Sequence, residues 1–283
     1  MEKMILNGEM KDRSEIRIDI EDRGYQFGDG VYEVIRIYNG LLFAGDMHIK
    51  RLFQSAELIS ISIPYTQEEL MEQLKRLVKT NDLQSGIIYL QYTRGVSPRS
   101  HAFPFHQVEP VYVAYTKEMP AAKGEKAAVR AVTAEDIRWL RCNIKSLNLL
   151  GNILAKEEAV KAGCEEAIQH RGDIVTEGSS SNVFIAANGA IKTHPANNLI
   201  LNGITRQVVL QLCGKLEIPV QEEAFTMEEL LKADEVFYTS TGVEVTGISE
   251  VDGKIIGNGQ TGPLTQKLQQ AFCQEIERQC GRI

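Results

Sequence analysis

VIRIYNGLLF, residues 34–43, decides between two architectures for this chain. Two short apolar runs flank Asn39-Gly40, a pair that tolerates the positive φ of a tight hairpin turn. An antiparallel hairpin here argues against a sheet built from regular parallel strand–helix crossovers. The same punctuation returns at Asn7-Gly8, Asn188-Gly189 and Asp252-Gly253, each between short apolar stretches. GIIYLQYTRG (86–95) and EPVYVAYTKE (109–118) add strands rich in β-branched and aromatic residues.

Two helices intervene. HIKRLFQSAELIS (48–60) places Ile49, Leu52, Phe53, Ala56 and Ile59 on one face, and TQEELMEQLKRLVKTN (66–81) opens with Thr66 and Glu69 at capping-box spacing. Strands with segregated helices predict an α+β domain over residues 1–118. MPAAKGEK (119–126), small or charged throughout, reads as a linker. A second, α/β domain is expected over 127–283. Its strands fall near 127–134, 182–187 and 235–240, its helices near 147–163, 203–216 and 226–233, with a last helix from about 263. The fold class is α/β with α+β character, in two domains. No GxGxxG follows a strand and no GxxxxGK[ST] occurs, so nucleotide-binding folds gain no support.

The formal net charge of −7 argues against nucleic acid or an anionic membrane surface as the main partner. A bound anion must therefore be held by local geometry. No apolar run approaches the roughly 20 residues of a membrane span, and MEKMILNGEM at the N-terminus lacks a signal-peptide core. The five cysteines form no CxxC pair and read as reduced thiols of a cytoplasmic protein. Cys273 and Cys280, seven apart on the expected last helix, do not read as a metal pair, and no metal site is expected.

Lys145 stands out in CNIKSLNLLGN (142–152), between Ile144 and an apolar run at an expected helix start. A following helix N-terminus and the nearby Arg138 and Arg141 penalise a charged amine there. Lys145 is thus a candidate nucleophile, or simply a surface lysine at a helix start. VTEGSSSNVF (175–184) offers Glu177 as a partner for a protonated ring nitrogen, or as a turn carboxylate. NGITRQVV (202–209) puts Gly203, Ile204 and Thr205 at a helix start, where free amides suit an anion. TSTG (239–242) places Ser240 and Thr241 straight after a strand. Arg51 could add a bidentate cation, or lie solvated on a helix face.

Taken in order, DRGYQFGDGVYEV (22–34), HIKRL (48–52), IKSLN (144–148), TEGSSSNVF (176–184), GITR (203–206) and TSTG (239–242) resemble the fold-type IV aminotransferases that use pyridoxal phosphate. The resemblance spans nearly the whole chain. It implies an active site between the two domains, with Lys145 as the Schiff-base lysine and Glu177 on the pyridine nitrogen. It also implies phosphate binding by Arg51, Thr205 and Thr241, with Ile204 and Ser240 among the cofactor-binding residues. TRGVSPRSHAF (93–103) carries Arg99 and His101 two apart, able to face one side of an extended loop. Read alone this is a basic surface loop. It resembles the RxH carboxylate trap of the D-amino acid branch, which Tyr32 would complete.

In that branch the arginine and histidine come from the neighbouring subunit, which implies a homodimer. The resemblance implies ping-pong transfer of nitrogen between D-amino acids (alanine, glutamate, aspartate) and 2-oxo acids, feeding cell-wall synthesis. The other readings are a branched-chain L-aminotransferase or an aminodeoxychorismate lyase of the same fold, and a non-catalytic cofactor carrier.

Overall fold

A computed structural model describes residues 2–120 and 126–282. The expected linker therefore lies mostly outside the described residues, at 121–125. The chain divides into two compact units, Met1–Ala121 with Ile144–Asn148 and Ile276–Ile283, and Ala122–Asn143 with Leu149–Glu275.

In the first unit, β1 (Lys3–Leu6), β2 (Glu9–Asp12), α1 (Arg23–Phe27), β3 (Gly30–Tyr38), β4 (Leu41–Leu42), α2 (Gly45–Leu58), α3 (Gln67–Thr80), β5 (Ser85–Thr93) and β6 (Val111–Glu118) follow in chain order. The strands form one sheet, ordered β2-β1-β6-β5-β3-β4, with antiparallel neighbours throughout. Alternation along β3 sorts its side chains between the two faces. Val31, Ile35 and Ile37 join Ile88 and Leu90 in a core completed by Ile49, Leu52 and Ala56 of α2 and Leu70, Leu74 and Leu77 of α3. Glu33 points to this same face. Tyr32 points to the other, in a stack with Tyr89, which stacks in turn on Tyr115. The expected capping box of α3 is present: Thr66 Oγ1 accepts from Glu69 N, and Glu69 Oε2 accepts from Thr66 N.

The second unit contains β7 (Val129–Glu135), α4 (Leu150–Lys161), β8 (Glu166–Arg171), β9 (Ile174–Gly178), β10 (Asn182–Ala187), β11 (Ala190–Thr193), α5 (Ile204–Lys215), β12 (Val220–Glu222), α6 (Met227–Lys232), β13 (Glu235–Ser240), β14 (Glu244–Val251) and β15 (Lys254–Ile255). The last helix, α7 (Pro263–Cys280), runs on into residues of the first unit. The sheet order is β12-β11-β10-β13-β14-β7-β8-β9, with β15 paired to β14. The β11–β12, β14–β7 and β7–β8 pairs are parallel and the others antiparallel. This mixture is the α/β class with α+β character expected from the hairpin punctuation.

All four Asn/Asp-Gly pairs form hairpin turns with positive φ at both residues; at Asn39 and Gly40 the values are 49° and 73°. Two details differ from expectation. The helix expected at 147 begins at Leu150. Ile144–Asn148, with Lys145 in it, clusters with the first unit and not with the C-terminal one. β4 pairs with β3 only at Ile37 and Tyr38, leaving the start of that edge open. The 145–147 segment fills it: Tyr32 N donates to Lys145 O (3.0 Å), Leu147 N to Gly30 O (3.0 Å), and Val31 bridges Ser146.

Candidate active site

Ser146 N donates to Ile144 O (2.8 Å), a three-residue turn with Lys145 at its centre. Ile144 and Ser146 are buried, and Ile144 belongs to the first unit's core, while Lys145 faces the other way. Its Nζ lies 4.2 Å from the centroid of the Tyr32 ring, a cation–π contact on the sheet face opposite the helices. The Lys145 backbone N–H donates to Ser55 Oγ (3.1 Å), tying the segment to α2. No carboxylate pairs with Lys145 among the described residues, so the amine meets an aromatic face in place of a counter-ion.

Behind β3 lies a buried charge cluster that composition could not reveal. Glu33 Oε1 accepts from Arg51 Nε (2.6 Å); Glu33 Oε2 accepts from Arg51 Nη2 (2.9 Å) and pairs with His48 Nδ1 (2.8 Å). Burial would raise the Glu33 carboxyl, yet Arg51 and His48 outweigh it and hold it well below the glutamate range. Burial also holds His48 below its ordinary value. Facing an acceptor, the neutral imidazole carries its proton on Nδ1. Arg51, read from sequence as a phosphate cation or a solvated arginine, is thus a buried fork fixed by a carboxylate. The signal was present in HIKR: His48 and Arg51, three apart, share one helix face.

In the second unit Glu177 is buried and held from three sides. Arg138 Nη1 donates to Oε1, while Asn182 Nδ2 (3.0 Å) and Leu201 N (3.0 Å) donate to Oε2. Burial pushes this carboxyl up to about 7, against the pull of Arg138 and the Leu201 amide. Arg138 is shared with Asp136 through Nε and Nη2 (both 2.8 Å). Asp136 is held at about 2, burial opposing, by Arg138 and Arg171. The GSSS loop is anchored by a further carboxylate, Glu166, which accepts from Ser179 Oγ, Ser179 N and Ser181 Oγ.

Arg51 lies in the first unit, whereas the other phosphate candidates belong to the same unit as Glu177. Asn182, which donates to Glu177, pairs with Thr239 across β10 and β13, and Ser240 and Thr241 follow Thr239 directly. α5 packs on β13 and begins at Ile204 and Thr205 without a side-chain cap. A Cβ at Gly203 would lie 2.1 Å from Asn182 Oδ1, so a larger residue would displace the amide that donates to Glu177. A side-chain-free turn, amides at a helix start and adjacent hydroxyls form a donor set suited to a phosphate group. Within the second unit a buried carboxyl and this donor set suit the ring nitrogen and phosphate of a phosphorylated pyridine, and Lys145, in the first unit, is an amine without a carboxylate partner among the described residues that suits an aldehyde.

Arg99 and His101 sit apart from these groups. Both are exposed, and among the described residues no hydrogen bond joins them to Lys145 or Tyr32. They share Phe27: the Arg99 guanidinium lies 4.5 Å from its ring centroid, and the His101 ring 5.7 Å. Among the described residues no cluster of three or more metal-ligating side chains occurs, and no helix is long and apolar enough to cross a membrane.

This chain belongs to the class IV aminotransferases, whose family model matches residues 30–251. Its relatives then narrow the branch. A D-alanine aminotransferase of Staphylococcus haemolyticus is 51% identical over 278 residues, covering 98% of this chain and 99% of the relative. One of Listeria monocytogenes is 51% identical over 286 residues, covering 99% and 98%. Among solved structures, a T.th. branched-chain amino acid aminotransferase with pyridoxamine 5'-phosphate superposes with a TM-score of 0.92 at 30% identity, covering 100% of this chain and 95% of that one.

Proposed function

We propose that this chain is a pyridoxal-phosphate-dependent transaminase that moves an amino group between D-amino acids and 2-oxo acids. The observation that carries the reading is Lys145: a half-buried amine without a counter-ion, presented over the Tyr32 ring by a segment that completes the β3 edge. The D-alanine aminotransferase relatives, aligned over nearly the whole chain, support the substrate class. Alanine, glutamate and aspartate are the D-substrates expected, with pyruvate and 2-oxoglutarate as acceptors and cell-wall synthesis as the destination.

When bound, pyridoxal phosphate supplies an aldehyde carbon for amines and a ring that withdraws electrons from the substrate's Cα–H bond. Lys145 Nζ would hold the aldehyde carbon at rest and, once displaced by substrate, would take the Cα proton and return it to that carbon. Glu177 would hold the proton on the ring nitrogen. A carboxyl that burial pushes up to about 7 gains from a cationic ring beside it. Arg51, Ile204, Thr205, Ser240 and Thr241 would hold the phosphate, Arg51 with its fork already set by Glu33. Tyr32 would bind the substrate carboxylate together with Arg99 and His101 of the partner subunit in a homodimer. Handedness follows from that trap. Proton transfer needs the Cα hydrogen on the lysine's side, so fixing the carboxylate admits one enantiomer. A cytoplasmic enzyme accords with this chemistry.

The test is the visible absorption of the cofactor-loaded protein, with D-alanine and then L-alanine added without an acceptor. D-alanine should bleach the band and L-alanine should not, and Lys145→Ala should respond to neither. Bleaching by L-amino acids alone would move the chain to the branched-chain branch. Pyruvate released without an acceptor would make it a lyase.

A further inference from the structure

We propose that Asp29, acting through Arg23 and Arg94, is the positioning residue for the carboxylate trap at 99–101, an inference that rests on the trap reading above. Residues 97–110 contain neither helix nor strand, and Arg99 and His101 are exposed within them. A trap on such a segment needs external support to hold two donors at one spacing.

That support converges on one carboxylate. Asp29 Oδ2 accepts from Arg23 Nε (2.8 Å) and Arg94 Nε (2.8 Å), and Asp29 Oδ1 accepts from Arg94 Nη2 (2.9 Å). Arg23 then reaches the loop. Its Nη1 donates to Ser100 O (2.7 Å) and Ala102 O (3.3 Å), the carbonyls on either side of His101. Its guanidinium also lies 4.7 Å from the Phe27 ring centroid, the ring that carries Arg99 and touches His101. Arg94 secures the far side, with its guanidinium 3.6 Å from the Phe103 ring centroid. Arg23 and Arg94 are both buried, 3% and 7% exposed. Without the Asp29 charge two desolvated guanidiniums would repel each other at this point. Asp29 is held below the usual carboxylate range, its burial outweighed by Arg94 and Arg23.

Arg94 also donates to Ser60 O and Ile59 O, so its loss would disturb α2 as well. Arg23 is the cleaner handle. Arg23→Lys keeps a cation for Asp29 and removes the fork that spans to Ser100 and Ala102. The experiment measures kcat and KM for D-alanine in cofactor-loaded wild type, Arg23→Lys, Asp29→Asn, Arg99→Ala and Arg23→Lys/Arg99→Ala. Loss of the two loop bonds in Arg23→Lys should raise KM about ten-fold. Its kcat should stay within about two-fold, with the cofactor band unchanged. In the Arg99→Ala background the same change should add less than about two-fold, because the residue it positions is gone. Asp29→Asn should reproduce the KM effect; should that variant not fold, Arg23→Lys and the cycle decide alone. A weakened Arg99→Ala beside an unchanged or additive Arg23→Lys overturns the positioning role while leaving the trap intact. An unchanged KM in Arg99→Ala overturns the trap reading, and the positioning role with it.

Discussion

Glu33 shows how one buried residue can set the electrostatics of a site. A carboxylate enclosed in an apolar core is costly unless donors surround it, and three nitrogens do so here. Removing the charge takes from the buried Arg51 the carboxylate that accepts from its Nε and Nη2. Glu33→Gln should therefore lose about 3–5 kcal/mol of stability at neutral pH, read by urea or thermal unfolding. The pH dependence has a definite sign. The folded-state value of Glu33 is depressed, so its contribution is present above the ordinary 4.5 and is lost as pH falls below it. Burial depresses His48 and Glu33 opposes it, so in Glu33→Gln the imidazole is depressed further and costs the variant more as pH falls below 6.5. The gap between wild type and Glu33→Gln should thus narrow as pH falls below 4.5, where the contribution of the Glu33 carboxylate itself is lost. A gap independent of pH would assign the loss to packing instead.

At the scale of elements, glycine positions separate conformational cost from collision. Gly40 has φ +73° and open space where a Cβ would project, the nearest atom being Leu83 O at 3.8 Å. Gly40→Ala should cost only the left-handed penalty, about 1–2 kcal/mol. Gly95 leads into the trap loop with φ +109°, and a Cβ there would meet Glu109 O at 2.1 Å. Gly95→Ala should be the more damaging of the two in thermal unfolding and should also raise KM for D-alanine. Equal melting losses would show that the 95–109 backbone gives way easily. These turns also explain what could be read from sequence. Hairpins announced by Asn-Gly and helices with a capping box or an apolar stripe were legible, because their signals are local. α1 was not legible: five residues capped by Asp22 leave too short a pattern. β12 is a three-residue strand with mostly polar side chains, defined only by its partner β11. Lys145 and Glu177 are candidates by local context and are assigned through the resemblance of the ordered motifs. Glu33 and the Asp29–Arg94 pair could not be singled out, since their meaning lies in partners 18 and 65 residues away along the chain.

At the scale of the molecule, the proposed homodimer has a direct test. If Arg99 and His101 serve the partner subunit, each native site draws on two chains. Arg99→Ala and Lys145→Ala subunits, each nearly inactive alone, should on unfolding and mixed refolding recover about a quarter of wild-type activity, one native site in half of the dimers. No recovery would place the trap and the lysine on the same chain. Simple order along the chain assigns Lys145 to the C-terminal domain. The contact pattern assigns it to the first unit, because the open β3 edge takes in residues 145–147.

The first unit is therefore not a continuous piece of polypeptide. It takes five residues from the middle of the chain and a last portion from its end, where Asn39 Nδ2 donates to the carbonyls of Cys280 and Arg282, and Ala44 N donates to Gln279 Oε1. A gene fragment ending near codon 120 would encode β3 with its edge bare and these donors unanswered. Chimeras with relatives would have to exchange all three segments together, so lysine and strand edge are inherited as a matched set. During synthesis the ribosome must also finish nearly the whole chain before the first-begun unit is complete.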